Sequence, residues 1–534
     1  MNFIGNLSRI NARRNPNKEA IVEIETNRRF TWKEFEEITN GFANYLLDFG
    51  LKKGDRVALY LNNCAEIILS YFSLPKIGVI VTPLNYLAAL EELKFCINDS
   101  KPRVLIYSQD YTKNVESLKN KCPTIEQYIP ENDFIKIAKK YPGTRPQTEP
   151  RINIKKNDVA VFLYTGGTTG KPKAVQLTHN SIINTVGYFI STLFANITQQ
   201  FKQEEIDNTP DSKKILNKFG DIEKIKLLSS LPIFHIAATG SILLAIMYGA
   251  TIVILKKFSV KKFLSTIEKE KITIATVVPT ILHRIVNYPD KNKYNISSLR
   301  QIGYGAAPIS PKTIRMSLEF FKNTDFIQIF GQTESTGVIT GLSPLDHKLA
   351  LKNPELLKSA GRVIKGIEVK IVDDNNNELA EGEIGEICIR GNNVMKGYWE
   401  QEDLTSKTLV NGWLHSGDLG KFIDGYLYIV GRKKDMVITG GENVYPKEVE
   451  NVIINYSKVK EVAVIGLPDE DYGEIVVACI VPKEGQHLTE QEIIEFSSRH
   501  LAGFKKPKKI FFMKKFPKSA QGKVLKRVLR EKYQ

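Results

Sequence analysis

Tyr164-Thr165-Gly166-Gly167-Thr168-Thr169-Gly170-Lys171-Pro172-Lys173 crowds three glycines, three threonines and two lysines into one short stretch. Glycine lets a backbone turn sharply and approach a ligand closely. Successive N–H groups in such a turn form a concavity that suits anionic oxygens. The threonine hydroxyls add donors and the lysines add charge, so the loop reads as a polyphosphate cradle. Val159, Val161, Phe162 and Leu163 before it read as a buried strand, and Val175-Gln176-Leu177 resume strand character after Pro172. Thr178 is placed to cap a helix that starts at His179. The loop therefore joins two strands. A Walker loop joins a strand to a helix and spaces its residues G-x-x-x-x-G-K-[ST]. Here only Gly167, Thr168 and Thr169 separate Gly166 from Gly170, and Pro172 replaces the magnesium-binding hydroxyl. The spacing argues against a P-loop kinase or GTPase.

The rest of the chain reads as α/β. A length of 534 residues exceeds one ordinary core, so two or more domains are expected. Thr31 and Glu34 form a capping box for a helix that buries Phe35, Ile38, Phe42 and Leu46 and stops at Gly50. Strands are expected at 56–61, 79–82 and 103–107, with helices between them, which implies mostly parallel, helix-covered sheets. Residues 236–255 are uncharged and long enough to span a bilayer, but Gly240, Gly249 and Thr251 interrupt them. They read as a buried helix followed by a strand. Residues 195–226 are polar and charged and read as a surface insertion.

A boundary is expected near Gly431-Arg432, giving a domain of residues 1–431 and a small α+β cap of residues 432–534. The cap is expected to hold helices at 446–456 and 489–500 and strands at 461–466 and 475–481. The five cysteines are scattered and never form a C-x-x-C pair, which points to a reducing, cytoplasmic compartment. Residues 1–18 lack the apolar core of a secretory signal. The net charge is +16, and about a dozen lysines and arginines crowd residues 505–532. No nucleic-acid motif accompanies them, so no nucleic-acid partner is expected. Peripheral contact with an anionic membrane and a homodimer stay open.

The loop closely resembles the phosphate loop of the acyl-adenylate-forming superfamily, which includes acyl-CoA synthetases, nonribosomal peptide adenylation domains and firefly luciferase. Six further segments resemble that family in the same order. They are Pro232-Ile233-Phe234-His235, Gly303-Tyr304-Gly305-Ala306-Ala307-Pro308, Phe330-Gly331-Gln332-Thr333-Glu334, Ser416-Gly417-Asp418, Gly431-Arg432-Lys433-Lys434-Asp435, and Pro517-Lys518-Ser519-Ala520-Gln521-Gly522-Lys523. The resemblance runs from Phe30-Thr31-Trp32 to Arg530.

The resemblance implies ATP, Mg²⁺ and CoA as ligands and assigns roles residue by residue. Thr165, Gly166, Gly167, Thr168, Thr169, Gly170, Lys171 and Lys173 hold the outer phosphates of ATP. Glu334 ligates Mg²⁺ with Thr165 close by, and Thr333 meets the α-phosphate. Phe330 stacks beside adenine, where many relatives carry Tyr, while Gly305, Ala306 and Ala307 present backbone to it. His235, Gly303 and Gly305 line the acyl pocket. Asp418 and Arg432 hold the ribose, and Lys523 reaches the acyl carboxylate and the α-phosphate. Lys434 is the hinge about which the cap rotates, and Gly440 and Gly441 then admit the pantetheine arm of CoA. Ala174 departs from the Gly usual in relatives. A carboxylate is already ionised at neutral pH, so no general base is required and His235 is not cast as one.

The implied activity is ATP-dependent ligation of a carboxylic acid to CoA through acyl-AMP. The paired glycines of the loop and Gly441-Glu442-Asn443-Val444-Tyr445-Pro446 look most like fatty-acid-CoA ligases of medium- or long-chain acids. Aryl acids such as coumarate or succinylbenzoate, transfer of the adenylate to a carrier protein, and a catalytically silent nucleotide- or lipid-binding relative are the alternatives.

Overall fold

The computed structural model describes residues 3–146, 153–166, 171–198, 224–307, 309–518 and 524–534, with only the backbone described for 189–198. The helix Trp32–Asp48 shows how local sequence becomes structure. The Glu34 N–H donates to Thr31 Oγ1 at 3.2 Å, and the Thr31 N–H donates to Glu34 Oε2 at 2.8 Å. Phe35, Ile38, Phe42 and Leu46 are all buried on its inner face, and Gly50 takes a φ of 90° just past its end. Residues 236–255 form the helix Ile236–Met247 and the buried strand Thr251–Ile254. Gly249 turns the chain between them with a φ of 66°. No helix among the described residues is long and apolar enough to cross a membrane. Of the expected insertion, residues 195–198 end the helix His179–Thr198 and Lys226 opens the strand Lys226–Ser229; residues 199–223 lie outside the described residues.

The chain divides into two compact units, and the division differs from a single cut near 431. One unit comprises residues 1–369 and 389–414, and the other residues 370–388 and 415–534. The first unit holds a nine-stranded sheet and a seven-stranded sheet. In the nine-stranded sheet, Asp325–Phe330, Gln301–Gly305, Ile274–Val277, Lys226–Ser229, Thr251–Ile254 and Glu19–Glu23 run parallel in that spatial order. Antiparallel strands close its edges. The seven-stranded sheet is parallel from Gln127–Pro130 to Val159–Gly166 and ends in an antiparallel hairpin.

In the second unit, Val459–Asp469 and Gly473–Pro482 form a long antiparallel pair. The helix Pro446–Ile453 and the Thr489-capped helix Glu490–Ser498 bury Val449, Ile453 and Ile493 in the same core as Val464 and Val476 of that pair. Many basic side chains of residues 505–532 find partners within this unit. Lys505 pairs with Glu448, Lys526 with Glu450, Arg527 with Glu531 and Arg530 with Asp435. Part of the positive charge is therefore engaged locally. The five cysteines are buried free thiols.

Two buried histidines tie acid stability to the first unit. The Ile4 N–H donates to His179 Nδ1 at 3.3 Å, and His347 Nδ1 meets the Ser343 carbonyl at 2.7 Å while its Nε2 lies 2.9 Å from the Tyr304 hydroxyl. Burial disfavours the imidazolium and lowers both groups to about 4. As pH falls through the unfolded value near 6.5, the unfolded chain takes up protons that the folded chain refuses. Each histidine then removes on the order of 2–3 kcal/mol of stability by pH 4. We expect the unfolding free energy, read by denaturant titration, to fall between pH 6.5 and 4. His179→Gln should flatten that limb; an unchanged slope would contradict the assignment.

Candidate active site

The strands Val159–Gly166 and Pro172–Thr178, which flank the candidate phosphate loop in sequence, pair as a hairpin. Their antiparallel register sets Thr165 opposite Lys173 and Gly166 opposite Pro172. The strand-loop-strand reading therefore holds. Thr178 also caps the following helix, because its Oγ1 accepts the Ser181 N–H at 3.0 Å. Gly167, Thr168, Thr169 and Gly170 lie outside the described residues. The hairpin is braced on both strands. The Tyr164 hydroxyl donates to Asp99 Oδ2 at 2.7 Å, and burial beside that carboxylate raises the phenol's pKa. On the other strand, Trp399 donates its backbone N–H to the Ala174 carbonyl at 2.9 Å, and Lys396 donates to that of Gln176 at 2.9 Å. Ala174 itself is fully buried, against Phe162 and Trp399. The Lys171 ammonium lies 5.7 Å from the centre of the Phe95 ring, and the Lys173 ammonium 5.7 Å from that of Tyr398.

Several candidate residues follow the carboxyl ends of parallel strands in the nine-stranded sheet, where open α/β sheets place their ligands. Ala306 and Ala307 follow Gln301–Gly305; Thr333 and Glu334 follow Asp325–Phe330, which ends on Phe330 itself; His235 follows Lys226–Ser229. Ala306 holds a φ of 65°, a left-handed conformation that costs a non-glycine residue on the order of 1 kcal/mol. Such strain is common where backbone is shaped for a ligand. His235 is the N-cap of the helix Ile236–Met247, and its ring packs 4.3 Å from that of Phe234.

The two glycines of Gly303-Tyr304-Gly305 differ. A Cβ on Gly305 would stand 2.2 Å from the Ile329 carbonyl oxygen of the neighbouring strand. Close strand approach therefore demands Gly305, apart from any ligand. Among the described residues, a Cβ on Gly303 would meet only Thr276 Cγ2, at 3.6 Å. Gly303 lines an apolar cavity of about 200 Å³ between the sheet and the helix Ile236–Met247. Gly305, Ala306 and Gly337 border the cavity, as do Ile236, Gly240 and Leu244 along the helix and Tyr248 just past its end. Ile236 and Tyr248 are twelve residues apart, so the cavity follows about 18 Å of helix.

Thr333 and Glu334 sit in the short turn Thr333–Ser335. The segment 393–398 ties this turn down. The fully buried Asn393 donates through Nδ2 to the carbonyls of Ser335 at 3.1 Å and Val338 at 2.8 Å. The Met395 N–H donates to the Glu334 carbonyl at 2.8 Å, and the Tyr398 hydroxyl to Glu334 Oε1 at 2.9 Å. Sequence reasoning missed Asn393 and Tyr398. The glycine- and asparagine-punctuated run Gly391-Asn392-Asn393, followed by Gly397-Tyr398-Trp399, was the available signal.

The remaining candidates belong to the second unit. Asp418 and Arg432 are paired across two antiparallel strands, with Arg432 Nε 2.6 Å from Asp418 Oδ1. The buried Glu386 braces the preceding turn, because its Oε1 accepts the Gly417 N–H at 3.0 Å and its Oε2 lies 3.1 Å from Lys433 Nζ. These bonds hold the Glu386 carboxyl below its usual range despite burial. Lys434 lies in the single turn Lys433–Asp435. Gly440 and Gly441 have φ values of 58° and 84° and close the hairpin between Val437–Thr439 and Glu442–Val444. A two-residue turn of this hand requires glycine-like residues at both positions. Lys523 lies outside the described residues.

Comparison with known proteins identifies the family. Residues 8–399 match the model of the AMP-binding enzyme family, and residues 448–523 that of the AMP-binding enzyme C-terminal domain. The chain therefore belongs to the acyl-adenylate-forming, AMP-binding enzymes. Within them it is an acyl-CoA synthetase, that is, a ligase. It is 33% identical to the long-chain-fatty-acid–CoA ligase FadD13 of Mycobacterium tuberculosis, over 100% of this chain and 99% of that protein. It is 30% identical to a feruloyl-CoA synthase of Amycolatopsis, over 98% and 97% of the two chains. Among solved structures, ATP-bound MatB from Rhodopseudomonas palustris superposes with a TM-score of 0.84 at 28% identity, covering 100% of this chain and 99% of that one.

The two glycines separate experimentally. Gly305→Ala must push two strands apart and should lower stability by about 1–3 kcal/mol, whereas Gly303→Ala should change it by less than about 0.5 kcal/mol. Denaturant midpoints check this, and equal losses would contradict the packing argument.

Proposed function

We propose that this enzyme joins a medium- or long-chain fatty acid to CoA, releasing pyrophosphate and AMP. Oxide is a poor leaving group, so the carboxylate is first activated. Its oxygen attacks the α-phosphorus of ATP, the bond to the β-phosphate oxygen breaks, and acyl-AMP forms. Both partners are anionic, so positioning and charge neutralisation carry the step. In this reading the hairpin loop, with Lys171 and Lys173, holds the departing phosphates and Thr333 meets the α-phosphate. Lys523 offsets charge at the acyl carboxylate. Asp418 accepts from the ribose hydroxyls, with Arg432 holding it in place, and Phe330 and the backbone at 305–307 flank adenine.

Among the described residues no three metal-ligating side chains cluster, and Glu334 Oε2 takes no hydrogen bond. A lone carboxylate suits Mg²⁺, which is commonly bound by one or two carboxylates together with substrate phosphates and water. Glu334 would hold it, with Thr165 near, and the ion would supply charge neutralisation at the phosphates.

The second half-reaction is thioester formation. The CoA thiol attacks the acyl carbon and AMP leaves with the bridging oxygen. In the proposed cycle the cap, residues 432–534, turns about Lys434 and presents the Gly440-Gly441 turn to the pantetheine arm. Among the described residues nothing lies within 4 Å of a Cβ built on Gly441, so that turn offers open backbone.

The apolar cavity along the helix Ile236–Met247 carries the substrate assignment. Its length and the lack of charged lining side chains among the described residues favour an extended alkyl chain over a compact aryl acid. Among the described residues, a Cβ built on Gly240 meets nothing within 4 Å, so a larger side chain there would enter this space. Pyrophosphate release should be measured across acids of increasing chain length and aryl acids, with and without CoA. Gly240→Leu should lower kcat/KM for long acids about tenfold, the worth of one or two buried methylenes, and spare short ones. No pyrophosphate with any acid would overturn the ligase reading. Equal loss at every length would overturn the cavity assignment, and release without any thioester would favour transfer to a carrier protein.

A further inference from the structure

One side chain of the first unit touches both halves of the proposed nucleotide site. Tyr398 belongs to the two-residue strand Gly397–Tyr398, which pairs antiparallel with Pro172–Thr178 and sets Tyr398 opposite Val175. Its ring lies 5.7 Å from the Lys173 ammonium, two residues along that strand. Its hydroxyl donates to Glu334 Oε1 at 2.9 Å, from a different sheet. The Met395 N–H fixes the Glu334 backbone at 2.8 Å, and the Lys396 and Trp399 N–H groups fix the hairpin, each at 2.9 Å. Segment 393–399 is therefore a strap between the carboxylate and the phosphate hairpin, and Tyr398 is where it reaches the carboxylate oxygen.

Resting on the reading of Glu334 as the magnesium ligand, we infer that Tyr398 is a positioning residue for that ion. Its phenol engages Oε1 and leaves Oε2 for the metal, while its ring lies 5.7 Å from the Lys173 ammonium. A carboxylate ligand held by a hydrogen bond keeps one rotamer. Without that bond the side chain must be ordered when the ion arrives. Loss of such a partner weakens metal binding about 10- to 100-fold. The ring packing and the cation–π contact do not need the hydroxyl, so Tyr398→Phe keeps them and removes the hydrogen bond to Glu334.

The test uses the full chain with Mn²⁺ as probe and a non-hydrolysable ATP analogue, and reads free Mn²⁺ by electron paramagnetic resonance. Tyr398→Phe should weaken Mn²⁺ binding about tenfold, with an unchanged unfolding midpoint. In the Glu334→Gln background the same change should have no further effect, because Tyr398 acts through Glu334. In the assay, the half-saturating Mg²⁺ concentration should rise in parallel while the KM for the acid stays fixed. Equal Mn²⁺ affinity in wild type and Tyr398→Phe would overturn the inference, and so would a tenfold loss that persists in the Glu334→Gln background. If Glu334→Gln alone leaves Mn²⁺ binding intact, the metal assignment itself fails.

Discussion

Everything in the proposed chemistry depends on a glycine-rich loop being held still while it meets a polyanion. Glycine, which allows a close backbone approach, also has the most conformational freedom to lose. The loop's rigidity must come from its roots, and both roots are fastened. Tyr164 anchors the first strand to Asp99 through a 2.7 Å hydrogen bond, and the Trp399 and Lys396 N–H groups anchor the second. The same strap reaches on to the turn of Thr333 and Glu334 through Asn393, Met395 and Tyr398. Electrostatic stabilisation requires such preorganisation, because groups that must reorient at the moment of reaction contribute less.

How far the sequence could be read follows from the range of the forces involved. The helix capped by Thr31 and Glu34, the hairpin around residues 164–173 and the helix-strand unit at 236–255 are set by neighbours within a few residues, and all were legible. Tyr398 was not, because its partners Glu334 and Val175 are far away in sequence and are brought to it by sheet packing. The boundary near 431 differs from the compact division for a related reason. Residues 370–388 join the later unit although they precede residues 389–414 of the earlier one.

Small residues in these motifs have more than one cause. Gly305 is required by the Ile329 carbonyl, and Gly440 and Gly441 by a tight hairpin turn. Gly303 and Gly240 have no such fold-level demand and face the apolar cavity. On the proposed reading, specificity for chain length is concentrated at positions where the fold would tolerate a larger residue.

The central claim is that the acid attacks the α-phosphorus of ATP. It is tested most directly with a fatty acid carrying ¹⁸O in its carboxylate, incubated with enzyme, ATP, Mg²⁺ and CoA. Mass spectrometry of the products should find one ¹⁸O in AMP and none in pyrophosphate, because the bridging oxygen of acyl-AMP stays on phosphorus when the thiol attacks carbon. Label in inorganic phosphate, or unlabelled AMP beside newly formed thioester, would contradict the account.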